Sequence, residues 1–423
     1  MVSSLCTILE VILYNLMRSR YSLIMPQTIS IDAARNIMLS SLGLHFPPKK
    51  KATKQGVLKT ICKMGQLQID TINVVARSPY LVLWSRLGDY KPLWLDELLA
   101  EGKLFEYWSH AMCFLPIEDY PLYRRLMIDG KRGWKQTDTW MKENQKTVDH
   151  VLQYVRKQGE TRSSDFKRTD GVKGAWWNWK VEKVALELLF NKGELMIAKR
   201  QNFHRIYDLR ERVYPQWSDA FTASYEEIQK QLTLKALNAL GIATPEWIAD
   251  YFYTPKREIS KTLEKLINEK LIIPLEVDDL GICFVLQNTY KHLDELTQIK
   301  PTVTTLLSPF DPLMNNRKRV KSLFNFDYQI ECYTPAAKRK YGYFTLPILH
   351  RGKLVGRLDP KAHRKEGIFE IKAIYLEPGV KITDELVHNV GRAIQNCATW
   401  HQTPKVVVRK SNPKELRLLL TQT

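Results

Sequence analysis

The 423-residue chain is short of cysteine, of long apolar runs and of negative charge. Its six cysteines stand at positions 6, 62, 113, 283, 332 and 397, with no Cys-x-x-Cys and no metal-ligand spacing. Neither a disulfide framework nor a zinc site is expected, and a reducing cytoplasm fits best. The apolar N-terminal run from Leu5 to Leu16 is broken by Glu10 and Asn15 and follows no positive residue. It is too short to span a bilayer. Residues 1–29 read as a poorly ordered extension, with Met25-Pro26 as an alternative beginning. Acidic residues number 45 against 64 Lys and Arg, which leaves a formal charge of +19. An excess of that size points to a polyanion such as nucleic acid or an anionic surface, ahead of a merely solvated basic face.

What the chain has is apolar content, 44% of residues, sufficient for ordinary cores in several domains. One local pattern recurs: a helix, a turn and an apolar strand. It appears over Trp94 to Phe105, at Leu189 to Met196 and at Leu266 to Ile273. Ahead of the second copy, Thr147 to Lys157 predicts a helix closed by Gly159, and Trp179 to Phe190 a recognition helix, with a wing over Leu195 to Asp208. Ahead of the third, Tyr225 to Leu240 ends at Gly241 and Thr244 caps a helix through Tyr251. Pro255 to Asn268 is then the recognition helix and Leu271 to Val285 the wing. Trp176-Trp177-Asn178-Trp179 fits core packing better than base stacking. Units are expected over 30–140, 141–222 and 223–300.

Beyond Thr302 the pattern turns to strands, over Tyr328 to Tyr333, Tyr341 to His350, Lys353 to Asp359 and Ile368 to Leu376. A helix over Asp384 to Trp400 and an edge strand over Lys405 to Val408 follow. The expected fold class is therefore α+β: three tandem winged-helix units, then a small C-terminal antiparallel β-barrel over 301–423. Basic residues crowd the strand ends, including Lys338, Arg339, Arg351 and Arg357. They suit phosphate contact, or charged edges that discourage aggregation.

In the stretch Leu67-Gln68-Ile69-Asp70-Thr71-Ile72-Asn73, an extended backbone would put Gln68 and Asp70 on one face. By itself Gln-x-Asp is a weak motif, and a solvated strand face explains it equally well. Further stretches add weight: Ala76-Arg77-Ser78-Pro79-Tyr80, Tyr107-Trp108-Ser109-His110, Leu307-Ser308-Pro309-Phe310-Asp311-Pro312, Glu331-Cys332-Tyr333-Thr334-Pro335 and His350-Arg351-Gly352-Lys353 through Arg357. Together and in this order they resemble the YcaQ-type winged-helix DNA glycosylases, bacterial enzymes of alkylation and interstrand-crosslink repair.

The resemblance implies a Gln-x-Asp catalytic motif at Gln68 and Asp70, acting on N7-alkylated guanine in double-stranded DNA, crosslinks included. Asp70 would stabilise oxocarbenium character and take a proton from water that Gln68 holds; no metal or cofactor is needed. Because crosslinked bases cannot be fully flipped, an open channel is expected in place of a deep closed pocket. Arg77, His110, Lys338, Arg339, Arg351 and Arg357 are candidate DNA contacts. A lone His among aromatics such as His110 is more often a satisfied core residue, and Asp311 between two prolines is expected to fix a turn. A monomer in the bacterial cytoplasm, at the nucleoid, is expected. The competing class is a noncatalytic winged-helix regulator, which charge and repeats explain equally well.

Overall fold

The computed structural model describes residues 26–133, 136–166 and 180–422. The N-terminal run Leu5 to Leu16, and Trp176 to Trp179, lie outside the described residues.

After β1 (Thr28–Ile29) the Ser30 hydroxyl accepts from the Ala33 N–H and starts α1 (Ile31–Ser41). Thr53 caps α2 (Lys54–Met64), and Gly65 ends it in the left-handed region, φ 72°. A side chain there is excluded twice, because a Cβ would also come within 2.8 Å of the Phe252 ring. That tight exit delivers the chain to β2 (Leu67–Gln68). Next come α3 (Ser78–Leu87), α4 (Leu93–Ala100), β3 (Leu104–Trp108), β4 (Met112–Pro116) and α5 (Tyr120–Ile128). The sheet order is β2-β4-β3, with Gln68 opposite Cys113.

The same plan returns. Helices α6 (Gln145–Gln158) and α7 (Val181–Lys192) precede the hairpin β5 (Leu195–Gln201) and β6 (His204–Leu209), and Thr161 bridges to Tyr207 on β6. Later α8 (Tyr225–Leu240), β7 (Ile242–Ala243), α9 (Pro245–Tyr251) and α10 (Lys256–Asn268) lead to β8 (Ile272–Val277) and β9 (Gly281–Leu286). In the first and third copies a short strand, and in the second the single bridge residue Thr161, pairs with the hairpin's second strand. In α10 the buried Ile259, Leu263 and Leu266 share one face, while Arg257 and Lys261 stay exposed. Strand β1 adds to β8 in parallel, so Thr28 and Ile29 of the expected extension are held in a sheet.

The C-terminal part contains β10 (Thr304–Leu306), α11 (Arg317–Phe324), β11 (Leu346–His350), β12 (Lys353–His363), β13 (Ile368–Leu376), α12 (Asp384–Trp400), β14 (Lys405–Val408) and β15 (Ser411–Asn412). Its sheet runs β10-β11-β12-β13-β14, with β15 also on β13, and curls as a half-barrel. Pairing of β13 with β14 and with β15 is parallel, so the sheet is mixed rather than antiparallel. Tyr328 to Tyr333 forms no strand. Glu331 instead folds back to accept the N–H groups of Lys340, Tyr341 and Gly342 at 3.0, 2.9 and 3.0 Å, which closes a loop where a ladder was expected.

Candidate active site

Strand β2 is only two residues long, although the Ile69 N–H still donates to the Met112 carbonyl at 2.8 Å. The chain then leaves the sheet. Asp70 Oδ1 accepts from the Ile72 N–H at 2.8 Å, a local turn in which the short carboxylate replaces a ladder partner. The expected strand face shared by Gln68 and Asp70 therefore ends at Gln68, and Asp70 stands in the loop beyond it. Both side chains are half-buried. Burial pushes the Asp70 carboxyl above its ordinary range, and the Ile72 N–H offsets part of this.

Gln68 is held from behind. His110, in the turn between β3 and β4, places Nε2 at 2.9 Å from Gln68 Oε1 and Nδ1 at 3.1 Å from Gln66 Oε1. Gln66 is buried, and its Nε2–H donates to the Tyr251 carbonyl at 2.5 Å. The Tyr251 hydroxyl donates in turn to the Met64 carbonyl at 2.8 Å, which ties the end of α9 to the end of α2. Burial, helped by the nearby Arg319 and Arg132 guanidinium groups, lowers His110 to about 4, so the imidazole is neutral at pH 7.

Beyond the turn the loop rests on the C-terminal sheet. The Ala362 N–H donates to the Val74 carbonyl at 3.0 Å, and Arg364 donates to Asn73 Oδ1 at 3.0 Å and to the Val75 carbonyl. Cys332 and Tyr333 approach as well. The Asp70 charge adds to burial in raising the Cys332 thiol, and to the Cys332 charge and burial in raising the Tyr333 phenol. Tyr333 is 86% exposed.

The expected DNA contacts separate. His110 has both ring nitrogens occupied by glutamine amides. Arg77 heads α3 with its guanidinium 4.2 Å over the Phe203 ring, which Arg200 also covers at 4.3 Å. Lys338 is exposed, and Arg339 donates to the Thr334 carbonyl while lying 4.9 Å over Tyr343. Arg351, in the turn between β11 and β12, pairs with Glu385. Arg357 is 1% exposed, pairs with Glu377 at 2.7 Å and lies between the Phe326 and Tyr341 rings at 4.3 and 4.2 Å. It is a core cation, and the phosphate role expected of it is withdrawn. Asp311 fixes its turn by accepting from the Leu313 N–H.

Gln66, Tyr251 and Arg364 were not singled out in the sequence. The alternation Gln66-x-Gln68-x-Asp70 was a usable signal for the first; nothing local marks the other two. A cavity of about 1220 Å³, lined in part by His110, Arg132, Tyr253 and Arg257, touches neither Gln68 nor Asp70. A smaller one of about 300 Å³ lies beside the loop, lined in part by Asn73, Arg77, Arg364 and His401.

The chain thus combines a carboxylate kept partly dry, two positions past an amide held from behind, with a strongly basic α+β scaffold suited to a polyanion. The family model described as "DNA glycosylase AlkZ-like" matches residues 61–400, and the chain belongs to the AlkZ-like DNA glycosylases. It is a DNA glycosylase, with DNA as its substrate. Among solved structures it is similar to the Streptomyces sahachiroi DNA glycosylase AlkZ, at 16% identity and TM-score 0.61, over 90% of this chain and 100% of that one. Among the described residues no helix is long and apolar enough to cross a membrane.

Proposed function

We propose that the enzyme hydrolyses the N-glycosidic bond of N7-alkylated guanine in double-stranded DNA and unhooks interstrand crosslinks, with Asp70 as general base and Gln68 as the holder of the water. Alkylation at N7 puts a positive charge on the base, so the bond to the sugar is already weak. Its cleavage makes C1′ cationic. A carboxylate nearby stabilises that cation and accepts a proton from water, and the acid-base part of such an arrangement is worth about 10²–10⁴-fold. The observation that carries this reading is the placement of Asp70: half-buried, in a loop just past Gln68.

Around it, residues 30–140, 141–222 and 223–300 are read as three winged-helix units and 301–423 as a barrel-like domain, acting as a monomer on DNA at the nucleoid. The recurring strand order and the exposed Arg257 and Lys261 on α10 support this. An open approach suits crosslinks, whose bases cannot be flipped, and neither cavity encloses Asp70. The test is release of N7-methylguanine, and unhooking of a nitrogen-mustard crosslink, in duplex DNA. The wild type should do both. Base release by the wild type equal to that by Asp70→Asn would remove Asp70 from the mechanism.

A further inference from the structure

The hydrogen-bond chain behind Gln68 has a direction, and its far end sets it. A backbone carbonyl only accepts, so Gln66 must present its NH₂ to Tyr251 and its Oε1 to His110. An oxygen facing Nδ1 at 3.1 Å then requires the imidazole proton to sit on Nδ1. A neutral imidazole has one such proton, which leaves Nε2 as an acceptor. The structure turns Gln68 Oε1 to Nε2 at 2.9 Å, which would set lone pair against lone pair, so Gln68 can satisfy this nitrogen only with its amide reversed and its NH₂ facing the ring. The two ends of an amide exchange by a half-turn about its last torsion, so this arrangement needs no movement of the backbone.

We infer that Gln66 and His110 are positioning residues, which pass a single hydrogen-bond direction from the Tyr251 carbonyl to Gln68 and so turn the Gln68 carbonyl oxygen away from the imidazole, free to accept from the attacking water. This rests on the Asp70 and Gln68 reading above for what the water does; the direction of the chain does not.

In the reaction one water hydrogen stays hydrogen-bonded to Gln68 Oε1 and the other proton passes to Asp70. The water oxygen forms its bond to C1′. The C1′–N9 bond breaks with its electron pair going to the base, where it neutralises the charge of the alkylated ring. With the amide reversed, Gln68 would offer N–H to the water and draw on the lone pair that must reach C1′. The low basicity of His110 agrees with a singly protonated ring, since a doubly protonated one would donate to both glutamines and erase the direction.

Two measurements on the full-length protein test this. In ¹⁵N-labelled enzyme at neutral pH, the long-range ring correlations of His110, assigned by their absence in His110→Gln, should show Nδ1 protonated and Nε2 bare. In base release from N7-methylguanine duplex, His110→Leu should lower kcat by roughly tenfold or more with DNA Kd within about twofold, the size expected from one lost orienting hydrogen bond. His110→Gln, whose Oε1 occupies the place of Nε2 and still accepts from Gln68, should restore part of that kcat. A proton on Nε2, a doubly protonated ring, or equal losses in His110→Leu and His110→Gln would overturn the inference. Full activity in Asp70→Asn would instead sink the reading of the water's fate, while the tautomer would still decide the chain.

Discussion

Arg86 on α3 and Asp311, 225 positions later, form a two-pronged ion pair at 2.7 and 3.0 Å in which the side chains are 3% and 0% exposed. Arg86 also donates to the carbonyls of Leu42 and Val82, and a few residues away the Ser78 and Ser308 hydroxyls meet at 2.7 Å. The helix that follows the candidate site is thereby locked to the C-terminal part of the chain. Removing one partner strands a buried charge, which typically costs about 3–5 kcal/mol. Asp311→Asn should lower the urea midpoint accordingly, and Arg86→Met together with Asp311→Leu should recover much of the loss. An unchanged midpoint in Asp311→Asn would contradict the buried pair.

Asp70→Asn should separate activity from stability. Base release should fall about 10²–10⁴-fold. Because burial raises the folded carboxyl above its unfolded value, the ionised side chain weakens the fold at pH 7, and that penalty disappears as acid protonates it. The variant should therefore melt higher than wild type at pH 7, and the gap should narrow as the pH falls through the raised value. A lower melting temperature at pH 7 would mean the carboxylate stabilises the loop instead.

His110 gives the opposite pH signature. Its pKa is about 4 in the fold and 6.5 when unfolded, so between these values the unfolded chain binds the extra proton. Stability from this group is fully present above about pH 6.5 and is lost as pH falls towards 4, by about 3 kcal/mol in all at roughly 1.4 kcal/mol per unit. His401 is lowered to about 4 in the same way and forms a constant background. His110→Gln should flatten the pH 7 to pH 5 decline in melting temperature; an unchanged decline would place the titration elsewhere.

Arg357 and Lys338 should differ in kind. Arg357→Ala empties a slot between two aromatic rings and leaves Glu377 unpaired, so the melting temperature should drop while the salt dependence of DNA binding keeps its slope. Lys338 is exposed. If it touches phosphate, Lys338→Ala should weaken binding to all duplexes alike and reduce the slope of log K against log salt by about 1, with melting unchanged.

Much of the local grammar was legible in the chain itself. The helix over Asp384–Trp400, the Thr244 cap and the hairpins β5–β6 and β8–β9 follow from periodicity, capping residues and turn residues such as Asn202 and Gly281, all set by neighbours within a few positions. So did the spacing of Gln68 and Asp70. Where the strand beneath them ends was not legible, because Asp70 chooses between a ladder and its own turn according to what lies opposite, and β4 supplies a partner only as far as Ile69.

The chain alone therefore singled out the candidate residues, and the tertiary structure decided how they are held. Gln66 meets Tyr251 across 185 positions and His110 meets Gln68 across 42, contacts that carry no sequence period. Arg357 shows the same division. As a letter it is one more cation in a basic chain, and only the closing of Phe326, Tyr341 and Glu377 around it turns a phosphate candidate into part of the core. Charge and periodicity are local properties, whereas the direction of a hydrogen bond and the burial of a cation depend on groups that the fold alone brings together.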